Sequence, residues 1–213
     1  MIYSIERKLC FIHIPKTGGT SILRSYDREM LFSDTVIGGT WFSEKLDSPY
    51  RERFNLHKHS GATNIINVVG IDQFREMHSI AVIRDPLDRM ISVYRWGKDV
   101  QNSGSSVVPI ARKTDDFHKF CVEASDLFFP QTGAVSYKDK IVVSDLVLFE
   151  EFPARIKNIG KRLGFDWSIS KNIANSSQKI NINLEDKTRA FISDYYQQDY
   201  NLIESIKADR GRQ

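Results

Sequence analysis

Residues 11 to 21 combine an apolar run with groups that bind an anion. They read Phe-Ile-His-Ile-Pro-Lys-Thr-Gly-Gly-Thr-Ser, so a predicted strand leads into a proline, a lysine, two glycines and three hydroxyl side chains. A loop of this kind turns its backbone N–H groups and the N-terminus of the next helix toward one anion, and Lys16 adds a positive charge. The segment therefore predicts a site for an activated phosphate or sulfate ester.

The position of the lysine argues against a Walker A loop. That loop has the order Gly-x-x-x-x-Gly-Lys-Ser/Thr, whereas Lys16 precedes Gly18 and Gly19. Residues 147–150, an apolar run followed by a carboxylate, are nevertheless similar to a Walker B strand. A kinase or NTPase is therefore kept as an alternative, and a non-catalytic nucleotide-binding module is a third hypothesis.

A second candidate loop follows another apolar run. Residues 80–83 are apolar, and Arg84 comes directly after them. Pro86 should end this strand, and Asp88 can cap a helix. The apolar residues that follow repeat at helical spacing, which puts Ser92 about two turns into that helix. We expect this second loop, basic and hydroxyl-bearing like the first, to serve the same ligand.

At these two loops the chain resembles the sulfotransferases that use 3′-phosphoadenosine 5′-phosphosulfate, PAPS. The run Pro-Lys-Thr-Gly-Gly-Thr-Ser is similar to the family's 5′-phosphosulfate loop, and Arg84 with Ser92 is similar to its 3′-phosphate pair. The resemblance is nearest to the carbohydrate-directed branch that includes the heparan 2-O type. Further segments follow the order of that branch, at 130–131, 146–150, 175–176 and 195–200. Together they cover most of residues 8 to 203.

The resemblance implies transfer of a sulfuryl group from PAPS, as co-substrate, to an acceptor hydroxyl, with a carbohydrate favoured. The compact ammonium of Lys16 suits the bridging oxygen, where charge develops. A sulfuryl group carries less charge than a phosphoryl group, so no metal is required. The donor-binding residues implied are Lys16, Thr17, Gly18, Gly19, Thr20, Ser21, Arg84 and Ser92.

Two histidines are candidates for the base that accepts the acceptor proton. If their segment is extended, His57 and His59 point to the same side. A helix N-terminus near Ser60 would lower the pKa of an adjacent imidazole and keep it neutral. The resemblance favours His59, with His57 second. Glu44 or Glu150, or a purely structural histidine pair, are left open.

Composition indicates one ordinary domain. The chain has 213 residues, of which 41% are hydrophobic and 27% charged, and we expect a single domain over 1–213. A net charge of +3, with scattered basic residues, does not favour nucleic acid. Cys10 and Cys121 fall in apolar segments and are expected to be buried thiols, and no metal site is predicted.

The sequence has neither a signal-like N-terminus nor an apolar run of about 18 residues, so no membrane span is expected. A cytoplasmic, bacterial-type protein is expected unless the chain is trimmed. Oligomeric state is not predicted.

The periodicity predicts strands alternating with helices. Strands are expected at 9–14, at 79–84 and at 141–143 or 146–149, and helices at 20–30, 61–69, 71–77, 87–98, 114–127, 151–163 and 185–207. This pattern favours an α/β three-layer, P-loop-like fold with a central parallel sheet flanked by helices. Ligands of such sheets bind at the carboxyl ends of the strands, where Lys16 and Arg84 would lie.

The acceptor has no specific signature. Its pocket is expected around residues 35–60 and 99–113. An irregular stretch is predicted over 31–49 and a polar loop over 99–113. Trp41, Phe42 and Trp96 can stack on sugars, although burial is the favoured interpretation for all three.

Overall fold

A computed structural model describes residues 1–101, 103–169 and 181–211 of the chain. Their contacts form two compact units. Unit 1 comprises Met1–Ile83 with the described part of Gln131–Ala174, and unit 2 comprises Arg84–Pro130 with the described part of Asn175–Gln213. The single domain expected from the sequence stays a prediction. Residues 175–176, which contributed to the resemblance, lie outside the described residues.

The described residues form an α/β structure. The strands are β1 Ile2–Ser4, β2 Leu9–Ile12, β3 Thr35–Val36, β4 His78–Ile83, β5 Ser136–Tyr137, β6 Lys140–Ile141 and β7 Asp145–Leu148. The α-helices are α1 Gly19–Tyr26, α2 Trp41–Glu44, α3 Asp47–Phe54, α4 Ala62–Val69, α5 Ile71–Arg75, α6 Pro86–Asp99, α7 Val107–Lys113, α8 Phe117–Ala124, α9 Gln131–Ala134, α10 Phe152–Arg162, α11 Asp186–Tyr195 and α12 Gln197–Arg210.

The main sheet of unit 1 is mixed, which corrects the prediction of a parallel sheet. Its strand order is β3-β1-β2-β4-β7, and β2, β4 and β7 are parallel. However, β1 runs antiparallel to both β2 and β3. The β1–β2 connection is a tight turn in which the Lys8 N–H donates to the Ile5 carbonyl at 3.1 Å. Such a turn is too short for the crossover that a parallel pair needs.

The core of unit 1 lies where α1 and α10 pack against the sheet. Phe11 of β2, Val82 of β4 and Val147 of β7 share a buried cluster with Ile22 of α1 and Ile156 of α10. The three strand residues come from parallel neighbours, so one apolar face is covered by helices. This packing fixes the start of α1, and with it the loop that connects β2 to α1.

Unit 2 is helical, and a tyrosine interrupts its C-terminal helix. The expected helix over 185–207 is two helices, α11 and α12, that meet at Tyr196. Tyr196 is fully buried, and its hydroxyl donates to the Phe128 carbonyl at 2.7 Å. Arg89, also buried, donates to the Phe129 carbonyl at 3.0 Å. Both side chains hold the segment that follows α8.

Helices also replace two segments that were predicted to be irregular. Residues 31–49 contain β3, α2 and the first residues of α3, and the polar loop over 99–113 contains α7. In α7 the buried residues Val107, Val108 and Ala111 face the unit 2 core. Pro109 lies in the first turn, where the missing N–H costs nothing. Cys10 and Cys121 are buried free thiols, as predicted.

Candidate active site

The loop between β2 and α1 has an unusual backbone. A turn from Pro15 to Gly18 leads into the helix, and Lys16 has a φ of 67° while Gly18 has a φ of 83°. Residues other than glycine rarely adopt this left-handed backbone conformation, and it persists only where the surrounding structure imposes it. Left-handed residues alternating with ordinary ones turn successive N–H groups toward one side, which makes a concave anion site.

The first turn of α1 supplies donors. The Ser21 and Ile22 N–H groups bond back to the Gly18 carbonyl at 3.0 and 3.4 Å. Gly19 and Thr20 start the helix, so their N–H groups have no carbonyl one turn earlier to bond to. The Ser21 Oγ is buried and has no hydrogen-bond partner among the described residues. These groups, at the positive end of the helix dipole, fit a phosphate or sulfate oxyanion.

The two glycines are required by close packing. A Cβ on Gly18 would lie 3.0 Å from the Phe152 ring, and a Cβ on Gly19 would lie only 2.0 Å from the His13 ring. Thr17 is fully buried, and its hydroxyl donates to the Ile14 carbonyl at 2.9 Å. The loop is therefore tightly packed, and the Thr17 hydroxyl, which already donates to the Ile14 carbonyl, is not available to donate to a ligand.

Substituting Gly19 by alanine is expected to disable the loop. The new methyl group cannot coexist with the His13 ring, so the ring or the start of α1 must move. We expect roughly 10-fold or greater loss of affinity for an anionic ligand, because loop geometry sets its hydrogen bonds. Calorimetric titration measures this loss. Gly104→Ala is the control, since a Cβ there meets nothing within 4 Å, and equal affinities in both variants would contradict the prediction.

The segment with the two candidate base histidines is a turn, which corrects the extended conformation expected from the sequence. The Ser60 N–H donates to the His57 carbonyl at 2.9 Å, and the His57 N–H donates to the Ser60 Oγ at 2.8 Å. Asp47 fixes the middle of the turn, accepting from the Lys58 N–H at 2.7 Å. The helix α4 then begins at Ala62. Ser60 thus closes the turn rather than capping the helix.

Hydrogen bonds assign different tautomers to the two histidines. His59 Nδ1 lies 2.8 Å from the His13 carbonyl oxygen, which can only accept, so Nδ1 carries the proton and Nε2 keeps its lone pair. His57 Nδ1 instead accepts from the His59 N–H at 3.2 Å, so its proton lies on Nε2. This geometry favours His59 as a base that acts through Nε2.

Burial keeps both imidazoles neutral. It lowers the pKa of His59 to about 3, and the positive charge of Lys58 adds to this effect, whereas the bond to the His13 carbonyl opposes it. Burial also lowers the pKa of His57, with Arg51 contributing. The His13 ring centroid lies 4.5 Å from that of His59, and burial lowers the pKa of His13 well below its ordinary value. From the sequence, a helix N-terminus was expected to lower the pKa of the histidine base, but burial is the main cause in the structure.

Arg84 and Ser92 lie in unit 2. Arg84 follows the last residue of β4, and Ser92 lies within α6, half-buried as is Arg84. Asp85, not Asp88, caps the helix: its carboxylate accepts from the Asp88 N–H at 3.0 Å. Burial lowers the pKa of Arg84 and Arg95 lowers it further, while Asp88 and Asp85 favour the charged form.

The remaining acidic candidates differ in their surroundings. Glu44 accepts from the Gly39 N–H at 3.0 Å and pairs with Lys58, so it has a structural role. Glu150 is exposed just beyond β7. Within the described ranges, no three or more His, Cys, Asp or Glu side chains are grouped to hold a metal, and no helix is both long and apolar enough to cross a membrane.

Comparison with protein-family models, curated proteins and solved structures found no match. The resemblance to PAPS-dependent sulfotransferases therefore rests on the sequence motifs alone and stays a prediction. The structure brings Lys16, the glycines and both histidines into unit 1, together with His13, whose ring contacts both the loop and His59. Residue types and spacing did not predict that His13 lies between these two elements. Only its position directly after β2 hinted at this role.

Proposed function

We propose that this protein is a PAPS-dependent sulfotransferase that acts on an acceptor hydroxyl, with a carbohydrate favoured. The observation that carries the proposal is the loop before α1, where left-handed Lys16 and Gly18 precede the buried Ser21 hydroxyl. The first N–H groups of the helix that begins there have no acceptor within the helix. This combination suits one tetrahedral oxyanion with a cation beside it. The P-loop-like assignment of the fold and the cytoplasmic location belong to this proposal.

Each residue has a distinct task in this proposal. The N–H groups of Gly19 and Thr20 hold the 5′-phosphate, and the Lys16 ammonium stabilises charge that develops on the bridging oxygen. Arg84 bonds the 3′-phosphate through two N–H groups, and the Ser92 hydroxyl donates to it. When bound, PAPS would supply the sulfuryl group and 3′-phosphoadenosine 5′-phosphate would leave.

His59 accepts the proton of the attacking hydroxyl. Its Nδ1–H is held by the His13 carbonyl, so the Nε2 lone pair is the acceptor. As the oxygen of the acceptor bonds to sulfur, the proton passes to Nε2 and the imidazole becomes charged. At its lowered pKa the resting imidazole is neutral, so the Nε2 lone pair is available, but its basicity is lower than that of an ordinary histidine. In the proposed chemistry the loop and Lys16 would stabilise the dianionic 5′-phosphate as it leaves, so no metal is required.

Titration with 3′-phosphoadenosine 5′-phosphate tests the donor site. We expect metal-independent binding that Arg84→Ala weakens roughly 10- to 100-fold, because two charge-assisted hydrogen bonds are lost. Arg189→Ala, which removes an exposed arginine of unit 2, should leave affinity unchanged. Binding of ATP with Mg²⁺ in preference would instead favour the kinase alternative. Unchanged affinity in Arg84→Ala would reject the 3′-phosphate assignment.

A further inference from the structure

Two large aromatic side chains of unit 1 are exposed, contrary to the burial favoured from the sequence. Trp41 is 76% exposed and Phe42 is 59% exposed, at the first two positions of α2. Tryptophan is usually well buried, because water penalises its large apolar surface. Two such residues side by side on the surface indicate a place where another molecule makes contact.

The backbone below this aromatic pair is fixed. Thr40 and Ser43 form a reciprocal cap, in which the Ser43 N–H donates to the Thr40 Oγ1 at 3.3 Å and the Thr40 N–H donates to the Ser43 Oγ at 3.1 Å. The Ser43 hydroxyl also donates to the Gly38 carbonyl at 2.8 Å. These hydrogen bonds fix the backbone of the first turn of α2, from which both aromatic side chains project.

The same segment is tied to the turn that carries the candidate base. The Glu44 carboxylate accepts from the Gly39 N–H and lies 3.4 Å from the Lys58 ammonium. The Lys58 stem packs so closely on Gly38 that a Cβ there would lie 2.7 Å from it. Lys58 is adjacent to His59 in the chain. The segment that carries the aromatic pair is therefore joined through Lys58 to the turn that contains His59.

The chemistry of the aromatic surface fits a sugar. The Lys45 ammonium lies 3.6 Å from the centroid of the Trp41 ring, covering one face, and the high exposure leaves the opposite face open. A pyranose ring offers an apolar C–H face that stacks on an aromatic ring, and hydroxyls at its edge that bond to charged groups. Lys45, Lys58 and Glu44 provide such groups. A purely apolar partner would remove water from these charged groups without offering them a hydrogen bond, which costs free energy.

We propose that Trp41 and Phe42 form a stacking subsite for a pyranose ring of a glycan acceptor. This subsite rests on the proposed function in one respect, since a bound glycan is the acceptor only in a sulfotransferase. Binding of the sugar, however, requires neither the donor nor the chemistry. Trp41 supplies the platform because one face of its ring is open, and Phe42, about 100° further round the helix, supplies a separate apolar contact.

The test is a glycan array probed with labelled wild-type protein, Trp41→Ala and Phe42→Ala, without donor. The strongest array glycan is then titrated calorimetrically. We expect Trp41→Ala to weaken its binding roughly 10-fold or more and Phe42→Ala to weaken it less, because a stacked aromatic surface is lost. Phe32→Ala removes another exposed aromatic residue of unit 1 and is expected to bind like wild type. The side chains of Trp41, Phe42 and Phe32 are all on the surface, so folding should be preserved in the three variants.

The outcomes separate this inference from the proposed function. Absence of glycan binding by wild type, or equal binding by Trp41→Ala, overturns the subsite. Glycan binding that depends on Trp41, in a protein that does not bind 3′-phosphoadenosine 5′-phosphate, supports the subsite and rejects the sulfotransferase. Binding of 3′-phosphoadenosine 5′-phosphate, together with glycan binding that Trp41→Ala leaves unchanged, supports the sulfotransferase and rejects the subsite.

Discussion

Lys16→Ala is expected to lower sulfuryl transfer by roughly 100-fold or more, because a preorganised charge at a developing oxyanion contributes a few kcal/mol. Affinity for 3′-phosphoadenosine 5′-phosphate should fall less than the rate, since the charge that Lys16 stabilises is greatest in the transition state. Steady-state kinetics with radiolabelled PAPS, together with calorimetric titration of the product, measure both quantities.

Lys8→Ala is the matched control for this experiment. Lys8 also has a left-handed backbone, with a φ of 49°, and it is exposed at the β1–β2 turn. Both variants therefore put alanine at a left-handed position and remove one positive charge. Only Lys16 lies in the loop before α1. A Lys16→Ala enzyme with near wild-type turnover, or an equal loss in Lys8→Ala, would contradict the assigned role.

His59→Ala is expected to keep affinity for the donor product and to lose roughly 10²- to 10⁴-fold in rate, the usual contribution of a positioned base. His57→Ala should lose less, because His57 Nδ1 is already engaged by the His59 N–H. Single-turnover rates at saturating donor separate chemistry from binding. Full activity in His59→Ala would move the base to His57 or to a carboxylate.

The pH profile gives an independent check on His59. Its folded pKa of about 3 lies below the ordinary value of 6.5, so the group stays neutral and active as the pH falls from about 8 to about 5. The rate of sulfuryl transfer should therefore not fall over this interval through protonation of His59. The same shift destabilises the fold as pH falls below 6.5, because the unfolded chain then binds the proton more readily. A rate that halves near pH 6.5 would show that this histidine is exposed and ordinary.

Much of the candidate site could be read from the order of residues. Lys16, Gly18 and Gly19 directly follow an apolar run, and strand, turn and helix form there as predicted because each signal is local. The helices over 61–69, 87–98 and 151–163 were likewise predicted nearly to their observed ends. Their apolar spacing, Gly70 after α4 and Pro86 at the start of α6 mark these helices without reference to the rest of the chain.

Long-range contacts decided the rest. The turn at 57–60 depends on the Asp47 carboxylate, eleven residues away from Lys58, and the break at Tyr196 depends on the carbonyl of Phe128. No composition rule signals either bond. The antiparallel direction of β1 likewise follows from the four-residue turn before β2. The position of β1 in the sheet depends also on its pairing with β3, which is a distant part of the chain.

The sequence by itself determined that a strand delivers a lysine and two glycines to a helix N-terminus, because hydrophobic periodicity and turn chemistry act between near neighbours. Only the tertiary structure decided which histidine keeps a free lone pair, since His59 is oriented by a carbonyl 46 residues earlier. It also decided that Trp41 and Phe42 are exposed. Burial depends on which surfaces meet, and apolar residue type alone does not specify that.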